Sequence, residues 1–200
     1  MNYVICILIG YLLGTFNPAY LIGRYNGFDI REKGTHNPGA SNVKITLGWK
    51  YGIITGVVDI IKASIAVLFC RYLFPDLEVA GILGGAACVF GHMYPFYLKF
   101  KGGKGYASYT GMMLAIDWKI ALLMIIIGIL ITVITNYIAL ATITTVIYYP
   151  IRFWYLNAST LTLVILCILG IIIIYKHRIN IVNILNGKEI GLRPSAKKKE

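Results

Sequence analysis

Long apolar runs, cut by short polar segments, occupy most of this chain. A helix needs about 20 mainly apolar residues to cross a bilayer core. Inside lipid only helices and closed barrels satisfy the backbone. The first run extends from Asn2 to Gly23, and a polar loop follows from Arg24 to Lys50. The second run covers Tyr51 to Phe74 and the third Val79 to Leu98. A basic, glycine-rich stretch, KFKGGKG, ends at Gly105. The block from Tyr106 to Ile116 is too short to span comfortably, and Asp117, Trp118 and Lys119 break it off. Ile120 to Pro150 is too long for one span at about 1.5 Å per residue, so Thr135 and Asn136 mark a natural break. The last run is Ala158 to Tyr175, before a basic tail. This pattern predicts an all-α integral membrane protein of about seven transmembrane helices, two of them short.

Composition supports the membrane reading. The chain is 58% hydrophobic and 14% charged, with a mean hydropathy of +0.73. Soluble domains are roughly 45–50% apolar and about 25% charged. The N-terminal run lacks a basic start and a small-residue cleavage site, so it reads as a retained span rather than a signal peptide. Cys6, Cys70, Cys88 and Cys167 lie within apolar segments or at their ends, with no CxxC pair. No disulfide framework and no metal site are expected.

Charge tests the span count. Of the 19 basic residues, those in the Arg24–Lys50 loop, in KFKGGKG and in the tail all fall on one side of a seven-span topology. Only Arg71, Lys119 and Arg152 fall on the other, and Lys62 lies within a span. Positive loops stay in the cytoplasm, so the N-terminus is expected outside and the C-terminus in the cytoplasm. Residues 1–190 read as one membrane-embedded domain and 191–200 as a basic cytoplasmic tail facing anionic lipid. Nucleic acid is a poor partner for the net charge of +11, because so little of the chain lies outside apolar runs.

Three polar segments share the cytoplasmic side. GTHNPGASN, Gly34 to Asn42, is a turn rich in amides and hydroxyls, the composition of an anion-binding nest or of a plain connector. GHMYPFYLKFKGGKG, Gly91 to Gly105, sets Lys101 and Lys104 among glycines. That suits a phosphate, although Gly105 after Lys104 departs from a P-loop; a loop made basic for topology is the plainer alternative. KHRINIVN, Lys176 to Asn183, spaces His177 and Asn180 at helical intervals, or simply ends a helix with cations. Within the second span Asp59 and Lys62 stand at i, i+3. Such a pair is costly in a membrane unless enclosed by protein or facing a cavity; an internal ion pair and a ligand contact are both open.

These segments, with DIIK between them and a later GKE, together resemble the bacterial PlsY family of acyl-phosphate:glycerol-3-phosphate acyltransferases. The resemblance runs from about Gly10 to Glu189. It implies seven helices in the bacterial inner membrane and an active site at the cytoplasmic face. It also implies acyl transfer from acyl phosphate to the sn-1 hydroxyl of glycerol 3-phosphate, giving 1-acylglycerol 3-phosphate for phospholipid synthesis. Carried over position by position, the catalytic set is Thr35, Ser41, Lys104, His177 and Asn180. The substrate-binding set is Asn37, Gly39, Asn42, Lys44, His92, Lys101, Gly102, Gly103 and Gly105. No cofactor, metal or obligatory protein partner is implied.

Several positions depart from the family pattern. Thr35 and Ser41 exchange one hydroxyl for another, and His36 replaces a glycine. Ile45 stands where an arginine is expected, and Asn183 where a basic residue is expected. The first span reads Gly14-Thr15-Phe16-Asn17-Pro18 in place of Gly-Ser-x-Pro. Two rivals follow: a divergent, inactive paralogue, and a binding or transport protein for a phosphorylated ligand on the same scaffold.

Overall fold

In the computed structural model, residues 1–193 are described. Lys197, Lys198 and Lys199 of the expected tail lie outside the described residues. Among the described residues all regular elements are helical. They are α1 (Asn2–Thr15), α2 (Pro18–Tyr25), α3 (Ala40–Leu47), α4 (Trp49–Leu73), α5 (Ala80–Met93), α6 (Tyr106–Ile116), α7 (Trp118–Thr135), α8 (Ile138–Tyr155), α9 (Thr160–Lys176) and α10 (Arg178–Leu185). Short 3-10 turns lie at Ile30–Glu32 and Phe96–Leu98. Each apolar run of the sequence is mainly helical. Among the described residues, three segments are long and apolar enough to cross a membrane: Asn2–Tyr25, α4 and α7. α9 and α10, bent by 50°, make a fourth if taken together.

The helices form two compact units, Met1–Trp118 and Lys119 onward. In the first unit α1 lies along α5 at very short range. A Cβ on Gly10 would fall 2.1 Å from the Gly84 carbonyl oxygen, and one on Gly14 would fall 2.1 Å from that of Cys88. Glycine is required there for close approach, as in membrane helix pairs that associate through small residues. The two contacts advance together along both helices, so α1 and α5 run parallel. α4 and α6 also run parallel, since Gly111 meets Ile60 and Arg71 Nη1 donates to the Ala115 oxygen at 2.9 Å. α4 and α5, joined by a short turn, are antiparallel: Gly84 packs on Cys70, and Gly81 on Arg71.

The first apolar run is broken at Phe16–Asn17, which the hydropathy pattern did not indicate. Pro18 has no N–H and cannot continue the helix from α1. Asn17 caps α2, its Oδ1 accepting from Tyr20 N–H at 2.8 Å; such a cap is worth ~1 kcal/mol. The carbonyls freed at the end of α1 are all answered. Thr15 Oγ1 donates to Leu12 O, and Phe16 N–H to Leu13 O. Tyr97 Oη donates to Thr15 O at 2.7 Å. Lys62 Nζ reaches both Gly14 O at 3.1 Å and Phe16 O at 2.6 Å.

In the second unit α8 and α9 form a hairpin in which Gly170 approaches the Val146 backbone. The α7–α8 turn carries Asn136 at φ 71°. The chain returns to that turn after α10: Leu192 N–H donates to Asn136 O at 3.0 Å and Arg193 N–H to Asn136 Oδ1 at 2.8 Å. The Arg193 guanidinium also donates to Val133 O.

Candidate functional site

Two polar loops meet at one end of the first unit. Asn42, fully buried on α3, staples the first. Its Nδ2 donates to Ile30 O and Lys33 O, both at 2.9 Å. Its Oδ1 accepts the Thr35 N–H at 2.7 Å. All three bonds fix loop backbone, so the Asn42 side chain is committed within the protein. Thr35, Ser41 and His36 are exposed, and Asn37 is half-buried. Gly39 precedes α3, its N–H donating to Asn37 O at 2.9 Å. Thr35 and Ser41 therefore set hydroxyls at the rim of this turn, beside the start of α3.

His36 has φ 58°, a left-handed backbone for which glycine is the default residue. That is the physical sense of its departure from the family's glycine. Histidine tolerates the conformation better than most residues, and its Nδ1 lies 3.0 Å from Arg31 O.

Arg31 joins the two loops. Its guanidinium grips the Asp29 carboxylate, with Nη2–Oδ2 at 2.6 Å, and Nη1 donates to Leu98 O at 3.0 Å. It also lies over the Tyr20 ring, 5.3 Å from the centroid. This grip holds the Asp29 carboxyl below its ordinary value of 3.8, because the hydrogen-bonded cation favours the charged form. Asn17 adds a second tie, Nδ2 donating to Pro38 O at 3.2 Å. Arg31 did not stand out in the sequence, and Asn17 was noted only as part of the altered Gly14–Pro18 segment. Asn-Pro is nevertheless a helix-start signal, and it was legible at Asn17.

The second loop folds back on the end of α5. Gly103 N–H donates to His92 O and Gly102 N–H to Met93 O, both at 3.1 Å. A Cβ on Gly103 would fall 2.1 Å from His92 Nε2, and one on Gly102 would fall 2.1 Å from His92 O. The two glycines thus admit His92 before any ligand. Gly105, at φ 93°, turns the chain into α6. Lys104 is half-buried between these glycines, and Lys101 is exposed. His92 is 3% exposed and belongs to a buried cluster with Asp59 and Lys62.

Lys44 lies on α3 with Nζ 4.3 Å from the centroid of the Trp49 ring. Ile45 beside it is 43% exposed. The position expected to carry an arginine thus lies at the surface of α3.

In the second unit His177 forms the bend between α9 and α10. It is 5% exposed, with Nδ1 2.9 Å from Ile173 O. A carbonyl only accepts, so Nδ1 carries a proton and Nε2 is the basic nitrogen of the neutral ring. Asn180 Nδ2 donates to Glu189 Oε1 at 2.6 Å. The Asn183 carbonyl accepts from Lys188 N–H at 2.7 Å, a backbone role that any residue type fills. Among the described residues no cluster of His, Cys, Asp or Glu is arranged to hold a metal ion.

Long apolar helices packed in parallel and antiparallel pairs, with amide-rich and glycine–lysine loops gathered at one end of the first unit, are the architecture of a multi-pass membrane protein. Residues 4–187 match the model of the glycerol-3-phosphate acyltransferase family. Glycerol-3-phosphate acyltransferase 1 of Oceanobacillus iheyensis is 35% identical, with 96% of each chain aligned. The Clostridioides difficile glycerol-3-phosphate acyltransferase is 36% identical over 100% of this chain and 98% of its own. The crystal structure of PlsY, an integral membrane glycerol 3-phosphate acyltransferase, in its glycerol 3-phosphate form, superposes with a TM-score of 0.89. Its identity is 32%, over 96% of both chains. The chain belongs to the glycerol-3-phosphate acyltransferase family and is of the PlsY type.

Proposed function

We propose that this protein transfers a fatty acyl group from acyl phosphate to the sn-1 hydroxyl of glycerol 3-phosphate, at the cytoplasmic face of the bacterial inner membrane. The Arg31–Leu98 hydrogen bond carries the reading, because it brings the hydroxyl-bearing turn and the glycine–lysine loop to the same end of the unit. Both substrates are phosphorylated, and backbone amides with a lysine ammonium are suited to phosphate.

The acyl donor is already activated, so alignment and charge stabilisation suffice. The sn-1 oxygen attacks the acyl carbonyl carbon, and the carbon–oxygen bond to phosphate breaks. Inorganic phosphate leaves, and 1-acylglycerol 3-phosphate forms. Lys104 binds substrate phosphate, and Thr35 and Ser41 donate from the rim of the first turn. For His177 and Asn180 the support is the family resemblance alone, which implies a role with the acceptor or the acyl carbonyl. The hydroxyl proton departs with the phosphate. Asn42 and Asn17 hold the turn in shape.

The reading includes seven crossings with the N-terminus outside. The alternating directions of α1, α4, α5 and α6 support it, as does the return of the chain end to the α7–α8 turn.

The test is an assay of purified protein with labelled glycerol 3-phosphate, supplied with palmitoyl phosphate or, in parallel, palmitoyl-CoA. Lysophosphatidic acid formed from palmitoyl phosphate alone is the expected result. Folded protein that makes no product with either donor overturns it. Glycerol 3-phosphate binding by that same sample then identifies an inactive paralogue or binding protein.

A further inference from the structure

Asp59, Lys62 and His92 are three ionisable side chains from two helices, each at most 6% exposed. Lys62 Nζ lies 2.7 Å from Asp59 Oδ1 and 3.1 Å from His92 Nδ1. His92 Nδ1 lies 3.2 Å from the same carboxylate oxygen. Lys62 also holds the two carbonyls at the end of α1. Burying such a cluster has a large desolvation cost, and apolar residues of similar volume are often no less stable. Stability alone is therefore a weak reason for its presence, and its location suggests another.

The far edge of the His92 ring faces Gly103. The space between them is too small for a methyl group, and the His92 and Met93 carbonyls accept the Gly103 and Gly102 N–H groups. Lys104 is the next residue. One continuous chain of contacts thus runs from the broken first span, through Lys62 and Asp59, to the imidazole and on to the backbone carrying Lys104.

We propose that Asp59, Lys62 and His92 are positioning residues, which set the Gly102–Gly103 backbone and so place Lys104 for the phosphate of glycerol 3-phosphate without touching it. The sequence reading placed His92 in the substrate-binding set. Here it acts from behind the loop. The inference rests on the phosphate role of Lys104 proposed above.

Steady-state kinetics and thermal midpoints in detergent, with palmitoyl phosphate as donor, test it on Lys104→Met, His92→Ala, His92→Asn and Asp59→Asn. A displacement of about an ångström in such a loop costs up to ~100-fold. His92→Ala is expected to raise the KM for glycerol 3-phosphate about 10- to 100-fold, with little change in KM for the acyl donor. His92→Asn, whose amide occupies the place of Nδ1 but does not reach Gly103, is expected to keep the cluster folded while the KM for glycerol 3-phosphate stays raised. Asp59→Asn keeps the shape of the cluster and tests it even if His92→Ala does not fold; its KM for glycerol 3-phosphate is expected to rise severalfold.

Loss of kcat alone in both His92 variants would make His92 a catalytic residue and overturn the proposal. A lowered thermal midpoint with unchanged KM in the His92 variants and Asp59→Asn would make the cluster merely structural, and also overturn it. An unchanged KM in Lys104→Met overturns the phosphate role of Lys104 itself. A raised KM in Lys104→Met beside an unchanged one in Asp59→Asn overturns only the network.

Discussion

At the scale of single residues, the informative position is Ile45. The family pattern expects a guanidinium, and this chain offers an exposed isoleucine beside a lysine resting on Trp49. One ammonium does not reproduce the planar fork of arginine. A charge-assisted hydrogen bond is worth about 1.5–3 kcal/mol, or roughly 10- to 100-fold. Ile45→Arg is therefore expected to raise kcat/KM for glycerol 3-phosphate by at least about 10-fold, with no loss of thermal midpoint, since no core contact is removed. An unchanged kcat/KM would show that Lys44 or another group already supplies the charge. The hydroxyl positions Thr35 and Ser41, and the pair Asp59–Lys62, were legible as motifs. That His92 completes the buried cluster was not, because its contact with Lys62 depends on how α4 and α5 are set against each other.

At the scale of elements, the sequence pattern located α6 at Tyr106–Ile116 and the α7–α8 break at Asn136, whose left-handed backbone suits asparagine. It missed the α1–α2 break because hydropathy averages across Asn17. It also missed α3, a short helix whose apolar content is too low to stand out between spans, whereas the helical spacing of His177 and Asn180 anticipated α10. The third run ends earlier than its hydropathy suggested, since Pro95 and the 3-10 turn at Phe96–Leu98 close α5 at Met93. Packing between elements depends on absent side chains. Gly10→Leu would force its side chain into the Gly84 carbonyl; overpacking of this kind costs about 1–3 kcal/mol or more. A lowered thermal midpoint is expected, whereas the exposed Val4→Ala on the same helix should leave the midpoint nearly unchanged. Equal midpoints for the two variants would contradict the close α1–α5 approach.

At the scale of the whole molecule, the distribution of basic residues makes a topological prediction. Single cysteines introduced as Lys33→Cys and Lys119→Cys, in a background without the natural cysteines, occupy exposed positions. In intact cells, Lys119→Cys is expected to react with a membrane-impermeant maleimide. Lys33→Cys should react only after the membrane is opened. The reverse pattern would invert the orientation, and labelling of both in intact cells would break the alternation of spans. The charge bias was readable from sequence because it sums over many residues. The gathering of the loops was not, because it depends on single long-range bonds such as Arg31 to Leu98.

The severed end of α1 also bears on how the protein is made. The donors that answer Gly14, Thr15 and Phe16 come from Lys62 and Tyr97. Neither has been synthesised when the N-terminal segment leaves the ribosome. Until they arrive those carbonyls need water, which the hydrocarbon interior does not supply. The opening segment must therefore keep its broken end at the wet surface of the bilayer during translation. Its hydrogen bonds are complete only once α4 and Tyr97 lie beside it.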